Sequence, residues 1–479
     1  MNSEANEATI RTTNADTVPV VLQSPPDGRL VSVTIPAPEI SADLFLDNAE
    51  GQERFFWQNG QGRAVFAGFG KALEIMAWGT GRFKEIRNRA AALFSEASVE
   101  NSRNHGASPR LFGGFSFRDD FTPDNTWAVF HPAHFILPHY QYYQEDSEAW
   151  LTINAMLLDD EDIKLARKQL QIALTARYQS LKAAANRQMT SPKPTEILQI
   201  NYPMSFTTWK GIINRAKSSM QAKEIEKVVL ARVCEIRARQ RIDVRHALKY
   251  LNSEYPECTR FLFEPRLNHS FFGATPELLA KVRERMMQTM ALAGSIKRGD
   301  NADEDFLLTT QLRDSIKDRY EHMLVVNSIQ RRLHPLANQI KIGNKPEIFT
   351  LSYIHHLLTF FNVELNEALG VLPLVEILHP TPALGGSPRQ KALNFIRSAE
   401  PVPRGWFAGP IGWIDATLDG EFSVAIRSAI AQERRVWLYA GAGIVASSVP
   451  EQEWQETSLK FQPMLKALNI DGIQLKQEK

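Results

Sequence analysis

Between residues 406 and 445 three apolar segments follow one another with barely a break: "WFAGPIGWID", "EFSVAIRSAIAQ" and "RVWLYAGAGIV". Gaps this short leave no room for a crossover helix, so the segments must pair antiparallel. The "DG" at 419–420 marks the first turn and a short polar break marks the second, which reads as a meander. "RFLFEP" and "SFFGATPELLAKV" read as a further hairpin across the turn "RLNH". Earlier in the chain "RAVFAGFG", "FGGFSF" and "TWAVFHPAHFIL" are also strand-like.

Helical segments come in separate runs. "DDEDIKLARKQLQIALTARYQSLKAAANR" precedes a helix that starts near Ser205, which leads into the strand "KVVLARVCEI". A long amphipathic helix is expected over about 303–332, with Phe306, Leu312, Ile316, Tyr320, Leu324 and Ile329 near helical spacing. Two capping boxes are expected, one on Ser387, Pro388 and Gln390, the other on Ser448 and Glu451. Strands and helices in runs, rather than in strict alternation, predict the α+β class.

A chain of 479 residues, 43% hydrophobic, has material for a large core. A net charge of +1 provides no global field to draw nucleic acid or an anionic membrane. Cys234 and Cys258 are too few for a disulfide framework, which points to a reducing, cytoplasmic setting. Residues 1–20 read as a mobile tail without the features of a signal peptide, and no apolar run is long enough to span a bilayer. The polar stretch 186–199, with two prolines, reads as a linker.

Several acids and bases stand out. In "SVPEQEWQETSLKF" Glu453 and Glu456 lie one turn apart, as do Asp318 and Glu321 in "KDRYEHML". Two such pairs on two helices could hold a hard divalent cation, which takes a few carboxylate oxygens and keeps several waters. The bland alternatives are a solvated first turn and an i,i+4 pair of Glu456 with Lys460. Glu277, after Pro276 and before Leu278 and Leu279, is either an ordinary turn residue or an acid kept protonated by apolar neighbours. Lys227 opens an apolar strand, as a gatekeeper or as a desolvated general base. Strand alternation turns Arg427 away from the apolar face, towards solvent or a carboxylate. Gly441 and Gly443 would let a substrate approach the backbone, and "GFGKAL" is too incomplete to be a dinucleotide fingerprint.

Taken in order, "KVVLAR", "GATPELL", "ALAGSIKRG", "KDRYEH", "HPTPALGG", "GWFAGPIGW", "FSVAIRSA", "AGAGIV" and "EWQETSLKF" resemble the motifs of the chorismate-utilising enzymes. The resemblance is dense over about residues 200 to 468 and extends to "FGGFSF" and "FHPAHFILP". Within the family the likeness is greatest to isochorismate synthases, especially the menaquinone-pathway type. It implies two stacked antiparallel sheets flanked by helices, with residues 21–199 packed against a catalytic region, 200–470, as one domain.

The same resemblance implies Lys227 as general base, Glu277 as general acid, and Mg²⁺ held by Glu321 and Glu456. Glu453 matches a companion carboxylate, and Asp318 stands where relatives often have glutamate. Gly294, Ser295, His356, Leu384, Arg427, Gly441, Ala442, Gly443 and Lys460 match substrate-pocket positions, and Phe407 stands where some relatives have tyrosine. Ala293 occupies the place of a lysine typical of aminodeoxychorismate synthases, which favours water as nucleophile. The expected substrate is chorismate, with a transient contact to the next pathway enzyme. Salicylate synthesis with loss of pyruvate ranks second. A siderophore-pathway isochorismate synthase, a non-catalytic chorismate-binding module and, from residues alone, a Mg²⁺ phosphohydrolase are the remaining alternatives.

Overall fold

The structure is a computed structural model that describes residues 28–49, 51–60, 62–99, 108–158, 160–185 and 195–470. The expected tail, residues 1–20, lies outside the described residues, and so does most of the 186–199 stretch. No helix among the described residues is long and apolar enough to cross a membrane.

The strands form one hydrogen-bonded network with two arms. The first arm runs from Ile197–Asn201 through Lys227–Ala238, Arg435–Ile444, Ser428–Gln432, His269–Thr275, Thr259–Arg266 and Arg54–Gln58 to Ala64–Ala77. The second runs from Arg110–Phe115 through Pro410–Asp415, Gly420–Val424, Leu278–Arg283 and Met286–Lys297 to Ile354–Leu365. Strand Ala133–Glu145 joins them. One edge pairs with Ala64–Ala77, and the first residues of its other edge pair with Arg110–Phe115. A register shift between Lys71 and Leu73 bends the long pair, as bulges do. Every pairing among the described residues is antiparallel except Arg29–Pro36 with Ser98–Val99.

The arms stack on an aromatic core. Phe55 and Phe263 of the first arm lie 6.3 and 5.9 Å, centroid to centroid, from Phe112 of the second. Trp406 stacks on Phe263 at 5.1 Å. Aromatic side chains at these separations combine large buried area with favourable edge and offset contacts. Helices cover the outer faces; Ser205 caps Phe206–Gln221 and Asp162 caps Ile163–Ala184 by accepting first-turn N–H groups.

Four local expectations are corrected. The helix over 303–332 is two helices, Ala302–Asp314 and Ile316–Leu333, broken at Ser315. Ser315 has extended backbone and its Oγ accepts the Asp318 N–H at 3.2 Å, so a cap interrupts a pattern that is otherwise helical. Only part of the apolar stripe is buried: Leu312 and Ile329 are covered, whereas Phe306 is 69% and Ile316 88% exposed.

The meander also fails in its middle member, which splits into Gly420–Val424 and Ser428–Gln432. The first piece pairs in the second arm and the other in the first arm, so the chain crosses between sheets at Ala425–Arg427. Neither capping box forms. Ser387 sits in a short strand and its Oγ donates to Glu226, while Ser448 Oγ accepts from the Val445 N–H. The "TWAVFHP" portion is turn, and strand begins only at Ala133.

We propose that residues on both sides of the 186–199 stretch unfold as one unit, because Phe55, Phe112, Phe263 and Trp406 share one core cluster. Phe112→Ala should cost about 3–5 kcal/mol and lower a single calorimetric transition as a whole. Two resolved transitions, only one of them displaced, would contradict this.

Candidate active site

Lys227 is the first residue of its strand, and its side chain is 0% exposed. Burial of an ammonium group requires an opposite charge at hand. Glu321, one turn inside the Ile316–Leu333 helix, supplies it, with Oε1 at 2.8 Å from Nζ. The approach is off-line for a hydrogen bond. Burial works to raise the Glu321 pKa, but Lys227 above all overrides it and holds the carboxyl below its usual range.

The pair fits because Gly443 lies beside it. A Cβ there would come within 2.5 Å of Glu321 Oε1 and 3.1 Å of Lys227 Cε. Gly443 opposes Val229 in the antiparallel ladder, so the partner strand delivers its missing side chain to this point. Gly441, two residues earlier, shares that face, and its carbonyl accepts from Lys460 Nζ at 2.8 Å. Ala442, between them, points into the apolar core and does not line the recess.

The recess holds about 690 Å³ including its open mouth. Glu277, Glu321, Glu456, Arg404, Arg427 and Lys460 supply its charged lining, with Gly294, Ser295, His356, Leu384 and Phe407 also on its walls. Glu277 occupies the step between strands His269–Thr275 and Leu278–Arg283, its N–H donating to Thr275 Oγ1 at 3.2 Å. Burial pushes its pKa up to about 8, against the opposing pull of Lys227, Lys460 and Arg427. A carboxyl here keeps its proton at neutral pH, as a proton donor must.

Arg427 is not on a strand face at all. It has φ +49° at the crossing between sheets, the left-handed region that a non-glycine residue enters at a cost. The bend turns its guanidinium into the recess, where it donates to His356 Nε2 at 3.3 Å. Burial, with Arg427 and Lys460 nearby, holds His356 well below its ordinary pKa, so the ring is neutral. Since Nε2 accepts from an arginine, Nδ1 carries the hydrogen and donates towards Ser295 Oγ at 2.9 Å. The Ser295 hydroxyl hydrogen is then available to a ligand. Gly294, at φ +81°, makes the bulge that sets Ser295 opposite His356.

On the last helix, Pro450–Ala467, Glu456 faces the recess, and Lys460 Nζ lies 2.5 Å from its Oε1. The i,i+4 pair offered above as a bland alternative is therefore present, and it lines the cavity. Glu453 and Asp318 stand behind. Glu453 pairs with Lys317 at 3.0 Å, and Asp318 accepts from Ser315 Oγ at 2.5 Å. Burial, reinforced by Glu456, raises Glu453; burial, reinforced by Glu321, raises Asp318. Neither lines the recess.

No group of three or more His, Cys, Asp or Glu placed for a metal occurs among the described residues. The donor set still fits a hard divalent ion. Two carboxylates from different helices share one recess, and burial, reinforced by repulsion from these two, pushes up the two carboxyls behind them. Mg²⁺ asks the protein for one or two carboxylates and fills its other positions with water and substrate oxygens.

Some lining residues were missed by sequence reasoning. Val229 and Tyr439 share the faces of Lys227 and Gly441, so period-2 alternation could have found them. Tyr439 stacks on Phe407 at 5.2 Å and forms an aromatic wall. Arg404 carries no such signal. Its guanidinium pairs with Glu400 at 2.6 Å and donates to the Leu384 carbonyl at 3.0 Å, tying two loops together at the rim.

Comparison with known proteins agrees with this architecture. The family described as "Chorismate binding enzyme" matches residues 16–469. The chain is 34% identical to the salicylate biosynthesis isochorismate synthase of Pseudomonas aeruginosa over 421 residues, 87% of this chain and 85% of that one. It is 32% identical to isochorismate synthase MenF of Bacillus subtilis over 427 residues, covering 87% and 88%. Among solved structures, MenF, the menaquinone-specific isochorismate synthase from Escherichia coli, superposes with TM-score 0.77 at 24% identity, over 94% of this chain and 96% of that one. Anthranilate synthase component I from Streptococcus pneumoniae superposes with TM-score 0.66 at 18% identity, over 84% and 92%, and at such identities both likenesses speak for the fold. With a matching profile over nearly its whole length and the two-armed antiparallel fold of these structures, the chain belongs to the chorismate-binding enzyme family.

Proposed function

We propose that the protein is an isochorismate synthase, an isomerase that converts chorismate reversibly to isochorismate, with menaquinone synthesis as the route it serves. One observation carries this reading: a fully buried lysine lies against Glu321 in the wall of a recess that also holds Glu277, a carboxyl kept protonated by burial.

Lys227, which must first release its ammonium proton and act as the free amine, accepts a proton from a water molecule whose oxygen forms a bond to C2 of the ring. The ring double bond shifts, the C4–O bond breaks, and Glu277 gives its proton to the departing hydroxyl, which leaves as water. A base at the head of one strand and an acid just before another, kept protonated by its burial, suit such a displacement. Water is consumed and released, so substrate and product are isomers close in energy. Arg427 and Lys460 match the enolpyruvyl carboxylate in charge, and Ser295 offers its hydroxyl hydrogen. Glu321 and Glu456 would hold Mg²⁺, which when bound neutralises the ring carboxylate and draws electron density as a Lewis acid. Leu384 presents an apolar wall where salicylate synthases tend to have a polar residue, and Ala293 stands where aminodeoxychorismate synthases tend to have a catalytic lysine. The first favours release of isochorismate over loss of pyruvate, and the second favours water as the nucleophile.

Chromatography of chorismate incubated with the protein and Mg²⁺ should give an isochorismate peak that disappears with chelator. Absence of that peak would reject the function, and salicylate with equimolar pyruvate would replace it. For the route, the protein should restore menaquinone to a bacterium that lacks its own isochorismate synthase.

Glu277→Gln should lower turnover by at least about a hundredfold, and kcat/KM of the parent should decline above a pKa near 8. The folded protein keeps this proton up to about pH 8, whereas the unfolded chain releases it near 4.5, so the parent loses stability as pH rises through that window. The glutamine variant cannot ionise and should gain on the parent across the window, by at most about 1.4 kcal/mol per pH unit. A variant equally active, or with an unchanged pH dependence of Tm relative to the parent, would remove Glu277 from the role.

Gly443→Ala should be far more damaging than Gly441→Ala, because the new methyl meets Glu321 Oε1 at 2.5 Å in one case and nothing closer than 3.3 Å in the other. We expect a loss on the order of a hundredfold or more in turnover for the first, with the far-ultraviolet circular dichroism of both variants unchanged. Equal activities would dissociate the Lys227–Glu321 pair from catalysis.

A further inference from the structure

A second cavity, of about 990 Å³ including its mouth, opens beside the start of helix Arg389–Ala399. Four guanidinium groups line it, from Arg82, Arg118, Arg389 and Arg397, against the carboxylates of Asp119 and Glu376. Arg118 and Arg397 are both matched by Asp120. The other two arginines are not matched at close range.

Arg82 is only 4% exposed, yet its ion-pair partners number none among the described residues within 4.0 Å. It donates to the carbonyls of Gly79 at 3.2 Å and Ser116 at 3.3 Å, and its Nε is buried without a partner. Arg389 donates to the His379 carbonyl and likewise has no ion pair among the described residues. Burial and the presence of Arg389 lower the Arg82 pKa to about 10, with Asp119 and Glu376 opposing only from longer range. His379 adds no countercharge: buried among Arg82, Arg389 and Arg332, it is held neutral, and its Nε2 donates to the Phe117 carbonyl at 3.0 Å. The Arg389–Ala399 helix has Pro388 at its cap position and no side chain covering its first-turn N–H groups. Buried guanidinium without a counterion is costly, and a planar fork is the side chain best shaped to bind carboxylate or phosphate.

We propose that this cavity binds a small anion carrying a carboxylate or phosphate group, held between Arg82 and Arg389 at the start of the Arg389–Ala399 helix. The proposal does not depend on the reaction assigned to the catalytic recess. The two spaces are neighbours without being one: Phe117 lines the cavity, and Arg404, whose Cζ lies 4.2 Å from the Phe117 ring centroid, lines the recess.

Titration calorimetry with inorganic phosphate and, separately, with succinate distinguishes the two sources of such an anion. At least one probe should bind saturably, one per chain. Arg389→Gln, a change at an exposed position that spares the core, should weaken binding by at least about tenfold. Arg427→Gln, which disables the catalytic recess, should leave it intact. Failure of both probes to saturate the parent protein would overturn the proposal. So would undiminished binding to Arg389→Gln, or loss with Arg427→Gln alone, which would move the anion into the recess.

Discussion

The interior ion pair of Lys227 and Glu321 organises the rest of the molecule. An ammonium group with no solvent exposure is tolerable only if a carboxylate is brought to it. The carboxylate comes from a helix almost a hundred residues away, and the space between them exists only because Gly443 has no side chain. One strand, one helix and one glycine on a third element are thereby constrained together. The broken helix at Ser315 belongs to the same constraint, since an independent start lets Ile316–Leu333 take its own direction over the recess.

Around that pair the charges are graded rather than uniform. Glu321 is held ionised by Lys227, and Glu277 is held protonated by burial although three cations surround it. His356 is held neutral by burial and by Arg427, which fixes its tautomer and frees the Ser295 hydroxyl. Three titratable groups in one recess thus sit in three protonation states set by their immediate neighbours. Such separation of states is how one site can carry both acid and base steps at a single pH.

The parts of this that were legible in the sequence share a property: they depend on residue type at short range. Lys227 at the head of an apolar strand and Glu277 between proline and leucines could be flagged from a few neighbours, and the ordered motifs drew Arg427, Lys460 and the glycines to the same pocket. What was not legible depends on the third dimension. Periodicity carried the helix straight through Ser315, because one serine does not interrupt an apolar stripe, though its side chain interrupts the backbone. Alternation made Arg427 a strand residue, whereas the chain bends there to change sheets. Ser387 and Ser448 have the spacing of capping boxes, but Ser387 gives its hydroxyl to the distant Glu226, and Ser448 Oγ accepts from the Val445 N–H three residues before it. Arg404 reaches the recess through folding alone.

The pairing of each inward carboxylate with a lysine has a consequence for how ligands enter. Glu321 holds Lys227, and Glu456 holds Lys460, so these four charges satisfy one another in pairs. If Glu321 and Glu456 turn to a divalent cation, the two lysines are left with unmatched positive charge. A dianionic substrate is the species that restores balance, while the cation alone would leave an excess and the dianion alone would meet two carboxylates. Cation and substrate together add no net charge, so each should bind more tightly in the presence of the other.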